Sequence, residues 1–388
     1  MTAPYVNFYT SEMPGAPALS GAIGGMLPVL DACLADGWGL VTATSLVVSG
    51  EVATLTFASG PAAAVRATIE VAGITGALAA LNGKHRATSV SSNTVVFAAP
   101  GAADGTATGT ITMKIASAGW EKAFTGTNKR AYRSLDVSST RLYLRVDDTA
   151  TLNARWRGYE VMTDVDTGTG DFPTVAQQAA PGMFAHKANN TTGNRKWMLI
   201  ADSKRFLLLV QVHATYPSQY SPLIFGDIVT FKAGDAYHCL INAATTDVTT
   251  AVSVGAGLES IVNSGNTSGR FLARSYAQIG GAIQSYTQAA GPDRAASTSG
   301  ASAFPAGPDV VNNAIYVAPL LVNDGSVVSA PYRGKVPGPL FVPQYLGSGY
   351  SSGSIIDGQL DMAGRELLSV EYASSSQRYM IDITGPWS

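Results

Sequence analysis

The sequence predicts a mainly β protein: a β-sandwich core domain, a smaller β-sandwich inserted into it, and one N-terminal helix. Three observations carry this expectation. Between Arg141 and Pro173 the run RLYLRVDDTATLNARWRGYEVMTDVDTGTGDFP alternates apolar and polar residues at period two. WMLIADSKRFLLLVQV, beginning at Trp197, reads as two apolar strands around the turn Asp202-Ser203-Lys204. Residues 41–118 hold short β-branched runs separated by turn dipeptides. Period two is the spacing of one strand face, and turn residues at short intervals leave little room for helices.

Residues 1–40 are expected to be an arm and a helix belonging to the core domain. Pro4, Pro14, Gly15 and Pro17 make the first stretch irregular. Ile23, Leu27, Leu30 and Leu34 then recur at three- and four-residue spacing, with Met26 and Cys33 beside them. Proline is tolerated only in a first turn, so Pro28 places the helix start near Leu27, and Gly37 stands where it would stop. Its apolar stripe should pack on the sheet that follows.

Within residues 41–118, the runs SLVVSG, VATLTF, ATIEVAG, HRATSV, NTVVFAA and GTITMKI are divided by Ser49-Gly50, Ser59-Gly60-Pro61, Asn82-Gly83, Ser92-Asn93 and Asp104-Gly105. Short strands at this rhythm predict a small sandwich of immunoglobulin-like type, without the Cys…Trp…Cys signature. Gly37-Trp38 and Gly119-Trp120 bracket the block, which predicts an insertion whose ends lie together.

Residues 119–388 form the main β-rich domain. In the 141–173 pair, Leu142, Leu144 and Val146 are expected to face a core, while Arg141, Tyr143 and Arg145, with Arg155, Arg157, Tyr159 and Val161 on the second run, decorate a wet face. The hairpin from Trp197 to Val212 is apolar at nearly every position, which places it mid-sheet and covered on both sides. A strand is expected over 223–231, another in GDAYHCLINA, one at Ala314–Val317, and two at the end in ELLSVEY and RYMIDIT, with Trp387 packed. Residues 243–270 and 287–309 read as long loops that order against neighbouring subunits.

Composition narrows the function classes. Only 13% of the 388 residues are charged and the net charge is −2, whereas an ordinary soluble domain carries roughly 25% charged residues. A surface so poor in charge is expected to be covered by other subunits. Lysine and arginine form no run, so no nucleic-acid footprint is expected. No signal peptide is expected at the start, and no apolar stretch reaches the eighteen residues of a membrane span. Cys33 and Cys239, far apart in apolar surroundings, are expected to be buried free thiols.

The order of motifs resembles a family of virion structural proteins of tailed bacteriophages. The resemblance runs through YTSEMPGAPALSG, MLPVLDACLADGWG, GWEKAFTGTNKRAYRS, RLYLRVDDT, GYEVMTDVDTGTGDFPT, the WMLIAD…FLLLV hairpin, FGDIVTFKAGDAYHCL and GRELLSV…IDITGPW. It covers nearly all of the chain outside the insert. The insert, with LNGKHRATSVSSNTVVFAAPG and DGTATGTIT, is similar to immunoglobulin-like modules of phage tail proteins. The resemblance implies a part of the tail, neck or baseplate, made in the host cytoplasm and located in the virion. Its partners would be copies of itself and other virion proteins, with host-surface glycan or pilus as the alternative. It implies no cofactor and no catalytic residue.

Candidate chemistry is sparse. A polysaccharide-cleaving site would need paired carboxylates about 5 to 10 Å apart, for which Glu160, Asp164 and Asp166 facing Asp147 and Asp148 are the candidates. Asp164, Asp166 and Asp171 suggest a calcium loop, although Gly168 and Thr169 break the EF-hand pattern. His85, His186, His213 and His238 have no metal-ligand spacing, and His238 and Cys239 should face opposite ways on a strand. Gly349-Tyr350-Ser351-Ser352-Gly353 spells a nucleophile motif but reads as a flexible loop. Tyr216, Tyr220, Tyr276, Tyr286, Tyr345 and Tyr350 fall in polar segments and are the candidates for subunit or glycan contact.

Overall fold

The computed structural model describes residues 6–189, 192–247, 269–289, 308–325, 330–344, 346, 350–372 and 377–387. The fold is mainly β. The long stretches 243–270 and 287–309 fall largely outside the described residues, and the strand Tyr286–Ala289 occupies the start of the second.

The hairpin Trp197–Ala201 and Arg205–His213 is the centre of the architecture. Asn7–Thr10 pairs with its first strand and Tyr216–Asp227 with its second, all antiparallel. Alternate residues go to different cores, as strand geometry requires. Trp197, Leu199, Phe206, Leu208 and Val210 enter one cluster, whereas Met198, Ile200, Leu207 and Leu209 enter another. Every residue of Trp197–Ala201 is buried, so the sheet is covered on both faces as its unbroken apolar run requires.

On one face lies the layer built by Ala318–Asn323, Tyr332–Phe341, Glu366–Tyr372 and Gln377–Asp382, whose Leu320, Val322, Leu368, Val370 and Ile381 complete the second core. A parallel bridge from Gln219 to Glu371 joins the two layers at one edge. On the other face lies an antiparallel sheet of Trp120–Gly126, Lys129–Ser134, Tyr143–Asp147, Asn153–Met162 and Gly168–Phe172. Its Leu144, Val146, Trp156 and Phe172 meet Phe206 and Phe225. The sandwich thus carries a third layer.

Residues 38–115 form an antiparallel arrangement of eight strands that holds all six expected runs, plus Trp38–Thr42 and Gly105–Thr106. Gly83–Val90 pairs with Thr68–Ala72 through its first half and with Thr94–Ala98 through its second, across a bulge between Ala87 and Ser89. That switch folds the strands into two faces around Leu55, Ile69, Phe97 and Met113. Gly50 and Glu51, both at positive φ, join Ser49 to Val52 in a two-residue turn. The ends of the block meet, since Ile115 registers with Trp38 and the Ala118 N–H donates to the Cys33 carbonyl at 2.8 Å. A short 3-10 helix, Gly76–Leu81, which the pattern did not announce, buries Leu78 and Leu81 beneath it. Arg66 and Arg86 both grip Glu366, at 2.6 and 2.7 Å, tying the block to the last layer.

Helical residues run from Leu27 to Asp36, first α and then π in character, and end at Gly37 with φ of 69°. Leu27, Leu30, Cys33 and Leu34 are buried as the stripe requires, but Ile23 stands before the helix and is exposed. Two further expectations are corrected. The strand placed at 314–317 begins instead at Ala318, because the Asp309 N–H donates to the Ala314 carbonyl and the Tyr316 N–H to Gln344, drawing those backbone groups out of the ladder. The strand expected to reach Phe231 breaks after Asp227 and ends at Thr230, leaving the Phe231 ring exposed.

Candidate functional site

The arginine-bearing face expected to be wet on the 141–173 pair is closed over Tyr143, Arg145 and Arg157, while Val161 is exposed as expected. Tyr143 opposes Tyr159, Arg145 opposes Arg157, and Asp147 opposes Arg155. Arg145 and Arg157 are both buried. Like charges set directly across an antiparallel pair repel, and carboxylates from the same strand, the following turn and the strand after it offset this. Arg145 donates to Asp147 at 3.0 Å and Asp166 at 2.6 Å, and Arg157 to Asp171 at 3.0 Å. Lys129 adds a second cation on Asp166 at 2.9 Å. Arg155 lies over the Phe184 ring at 3.6 Å and donates to the Gly182 carbonyl.

These pairings decide the fate of the candidate carboxylates. Asp166 is held below the usual carboxylate range by hydrogen bonds from Lys129 and Arg145. Asp164 is exposed, and the Asp166 backbone N–H holds its carboxyl low. Burial would raise Asp147, but bonds from Thr149 and Arg145 outweigh it. Glu160 is clamped by Arg274 through two bonds of 2.5 Å, and Asp148 is paired with Lys187 inside the protein. Asp164, Asp166 and Asp171 therefore do not converge on a shared point, and among the described residues no three His, Cys, Asp or Glu side chains form a metal-holding group. Each carboxylate of the acid–base reading except exposed Asp164 answers a cation.

The serine motif is equally committed. Ser351 Oγ lies 3.0 Å from Ser354 Oγ, Ser352 Oγ accepts the Glu371 N–H, and the chain continues as the strand Ile355–Asp357. Gly349 lies outside the described residues. Cys33 and Cys239 are free and buried, and burial raises both thiols.

The tyrosine candidates divide. Tyr216 and Tyr220 belong to the strand Tyr216–Asp227, not to a loop, and Tyr220 is half-buried against the second core. Tyr286 is buried in a strand. The loop-like placement expected for these three is corrected: they stand on strands whose polar neighbours Ser221, Ser285 and Thr287 are buried, and a polar composition alone does not distinguish such a strand from a loop. Tyr276 is exposed, with the Lys232 ammonium 4.4 Å from its ring centre. Tyr345 lies outside the described residues. Tyr350 lines a groove.

That groove holds about 370 Å³ and is lined by Ile315, Tyr350, Ile355, Ile356, Met362 and Leu367, with Asn313, Asp357 and Gln359 among its polar groups. Its size falls in the range of small-ligand clefts, roughly 300 to 1,000 Å³. Ile356 sits there because Ile355–Asp357 pairs with Glu366–Leu368. Asn313 sits there because Asp309 caps the Val311 and Asn312 N–H groups at 2.9 and 3.1 Å and turns the chain back. Gln359 donates to the Asn312 carbonyl and joins the two sides at 3.2 Å. The same turn leaves Val310 and Val311 at least 90% exposed, and Leu360, next to Gln359, is also exposed. Of this site only Tyr350 was named from sequence; the isolated apolar pair Val310-Val311 in a polar loop was the signal available for the rest. No family model matches the chain, and no curated protein matches its sequence.

Proposed function

We propose that this chain is a structural component of a tailed-phage virion, in the tail, neck or baseplate, assembling in several copies and with other virion proteins. The observation that carries this reading is the apolar turn Val310-Val311 beside the groove of Ile315, Tyr350 and Ile356, with Leu360 exposed at its edge. An apolar knob next to an apolar recess, exposed on a chain poor in charge, suits burial against another copy. The motif order of the tailed-phage family supports the same reading, and the block 41–118 is read as an immunoglobulin-like module projecting from the body. No catalytic role is assigned, because Glu160, Asp147, Asp148 and Asp166 are all engaged by cations.

The test is a density map of the intact virion with this chain located in it. A ring or collar around the tail axis, with the Val310 turn packed on a neighbour, is the expected result; density confined to a distal tip overturns it. A second reading, host-glycan binding, is favoured by Tyr350 standing with Asp357, Asn313 and Gln359, since an aromatic face with polar groups around it suits a sugar. Glycan binding by the isolated chain that Tyr350→Ala abolishes would favour it.

A further inference from the structure

Among the described residues, the deeply buried cations come with partners, and one does not. Lys187 pairs with Asp148, Arg333 with Asp235 and Asp324, Arg157 with Asp171, and Arg145 with Asp147 and Asp166. Arg270 is fully buried, yet none of its three guanidinium nitrogens has a hydrogen-bond partner among the described residues. It opens the strand Arg270–Leu272, opposite Asn242 on one neighbouring strand, and its carbonyl accepts the Ser285 N–H at 3.0 Å. Backbone alternation puts its side chain on the face of Leu272, which belongs to the second core, and not on that of Phe271, which belongs to the first. Burial lowers its pKa to about 9, opposed by the nearby Tyr286 phenol.

A guanidinium withdrawn from water and left unpaired is strongly unfavourable, and its planar fork of donors matches a carboxylate, phosphate or sulfate through two parallel bonds. We propose that Arg270 is the receptor of an oxyanion from outside the described chain, which binds between the sheet carrying Arg270–Leu272 and the layer packed on its inner face. Access lies at the end of this branch, because its last strand, Ile283–Gln284, is two residues long and, among the described residues, pairs with Phe271–Leu272 alone. Such a short edge opens more readily than the central hairpin.

The experiment is thermal unfolding of the full chain in chloride, acetate, sulfate and phosphate at matched ionic strength, for the wild type, R270M, R270Q and R270K. General salting effects act on all four proteins without saturating. Expected for the wild type is a saturable rise in Tm of about 3 °C or more with at least one oxyanion. R270M and R270Q should lose that rise and, in chloride, unfold no earlier than the wild type. R270K should keep part of it. A chloride Tm that rises with protein concentration for the wild type but not for R270M also supports the site, and assigns the oxyanion to a carboxylate of a second copy. Equal anion responses in wild type and R270M overturn the proposal. So does loss of folding in both R270M and R270Q, because removing an unmet buried charge should not destabilise the fold.

Discussion

Lys187 and Asp148 form an ion pair in which neither side chain reaches solvent. Lys187 Nζ also donates to the carbonyls of Ala22 at 2.7 Å and Ala150 at 2.9 Å, while Asp148 accepts the Met26 N–H at 2.7 Å. The pair fastens the start of the N-terminal helix to the hairpin turn after Asp147. Removing one partner strands a buried charge, so Lys187→Met or Asp148→Asn is expected to cost about 3–5 kcal/mol. The double replacement Lys187→Met/Asp148→Asn should cost clearly less than the two together. Urea unfolding of the three variants checks this, and strict additivity would show that the pair is not coupled.

His186 supplies a pH dependence. Burial lowers its pKa to about 4 in the folded chain, against an ordinary value of 6.5. Between those values the unfolded chain binds more protons, so stability rises with pH, is complete above about 6.5 and is lost as pH falls towards 4. The contribution is on the order of 3 kcal/mol. His186→Leu should flatten the stability curve across that window relative to the wild type, leaving the steeper loss at lower pH, where carboxylates titrate, in both proteins. Parallel curves would refute the assignment.

Gly158 faces Phe172 across two paired strands. A Cβ there would stand 2.2 to 2.5 Å from three atoms of the Phe172 ring, which is fully buried and stacks 6.1 Å from Phe225. Gly158→Ala is therefore expected to destabilise by about 1–3 kcal/mol through overpacking, although alanine suits a strand at least as well as glycine. Restoration of stability by the pair Gly158→Ala/Phe172→Leu, measured by denaturant midpoint, would identify the ring as the cause.

The Asp164–Asp171 turn is expected to ignore calcium. Lys129 and Arg145 occupy Asp166, and Arg157 occupies Asp171. Millimolar calcium should shift Tm by less than about 1 °C relative to a chelator. A larger, saturating shift that Asp166→Asn removes would establish a site there.

Local patterning determined much of this protein. Period two placed the 141–173 pair, the Trp197 hairpin and all six runs of residues 41–118, and Pro28 and Gly37 marked the ends of the helical segment, because these signals depend on neighbours a few residues away. The unbroken apolar hairpin even foretold a strand covered on both faces. Tertiary structure decided what the alternation could not. Arg145 looked solvent-facing because charge usually is, yet its carboxylate Asp166 arrives from the next turn, and Glu160 meets Arg274 from more than a hundred residues along the chain. Likewise Tyr350 was visible as an aromatic in a polar loop, while Ile356 and Leu367 joined it through strand pairing and Ile315 through the turn that Asp309 closes on Ala314. Periodicity reports which side of a strand a residue occupies; whether that side meets water, a counter-charge or another sheet is set by contacts between segments distant in sequence.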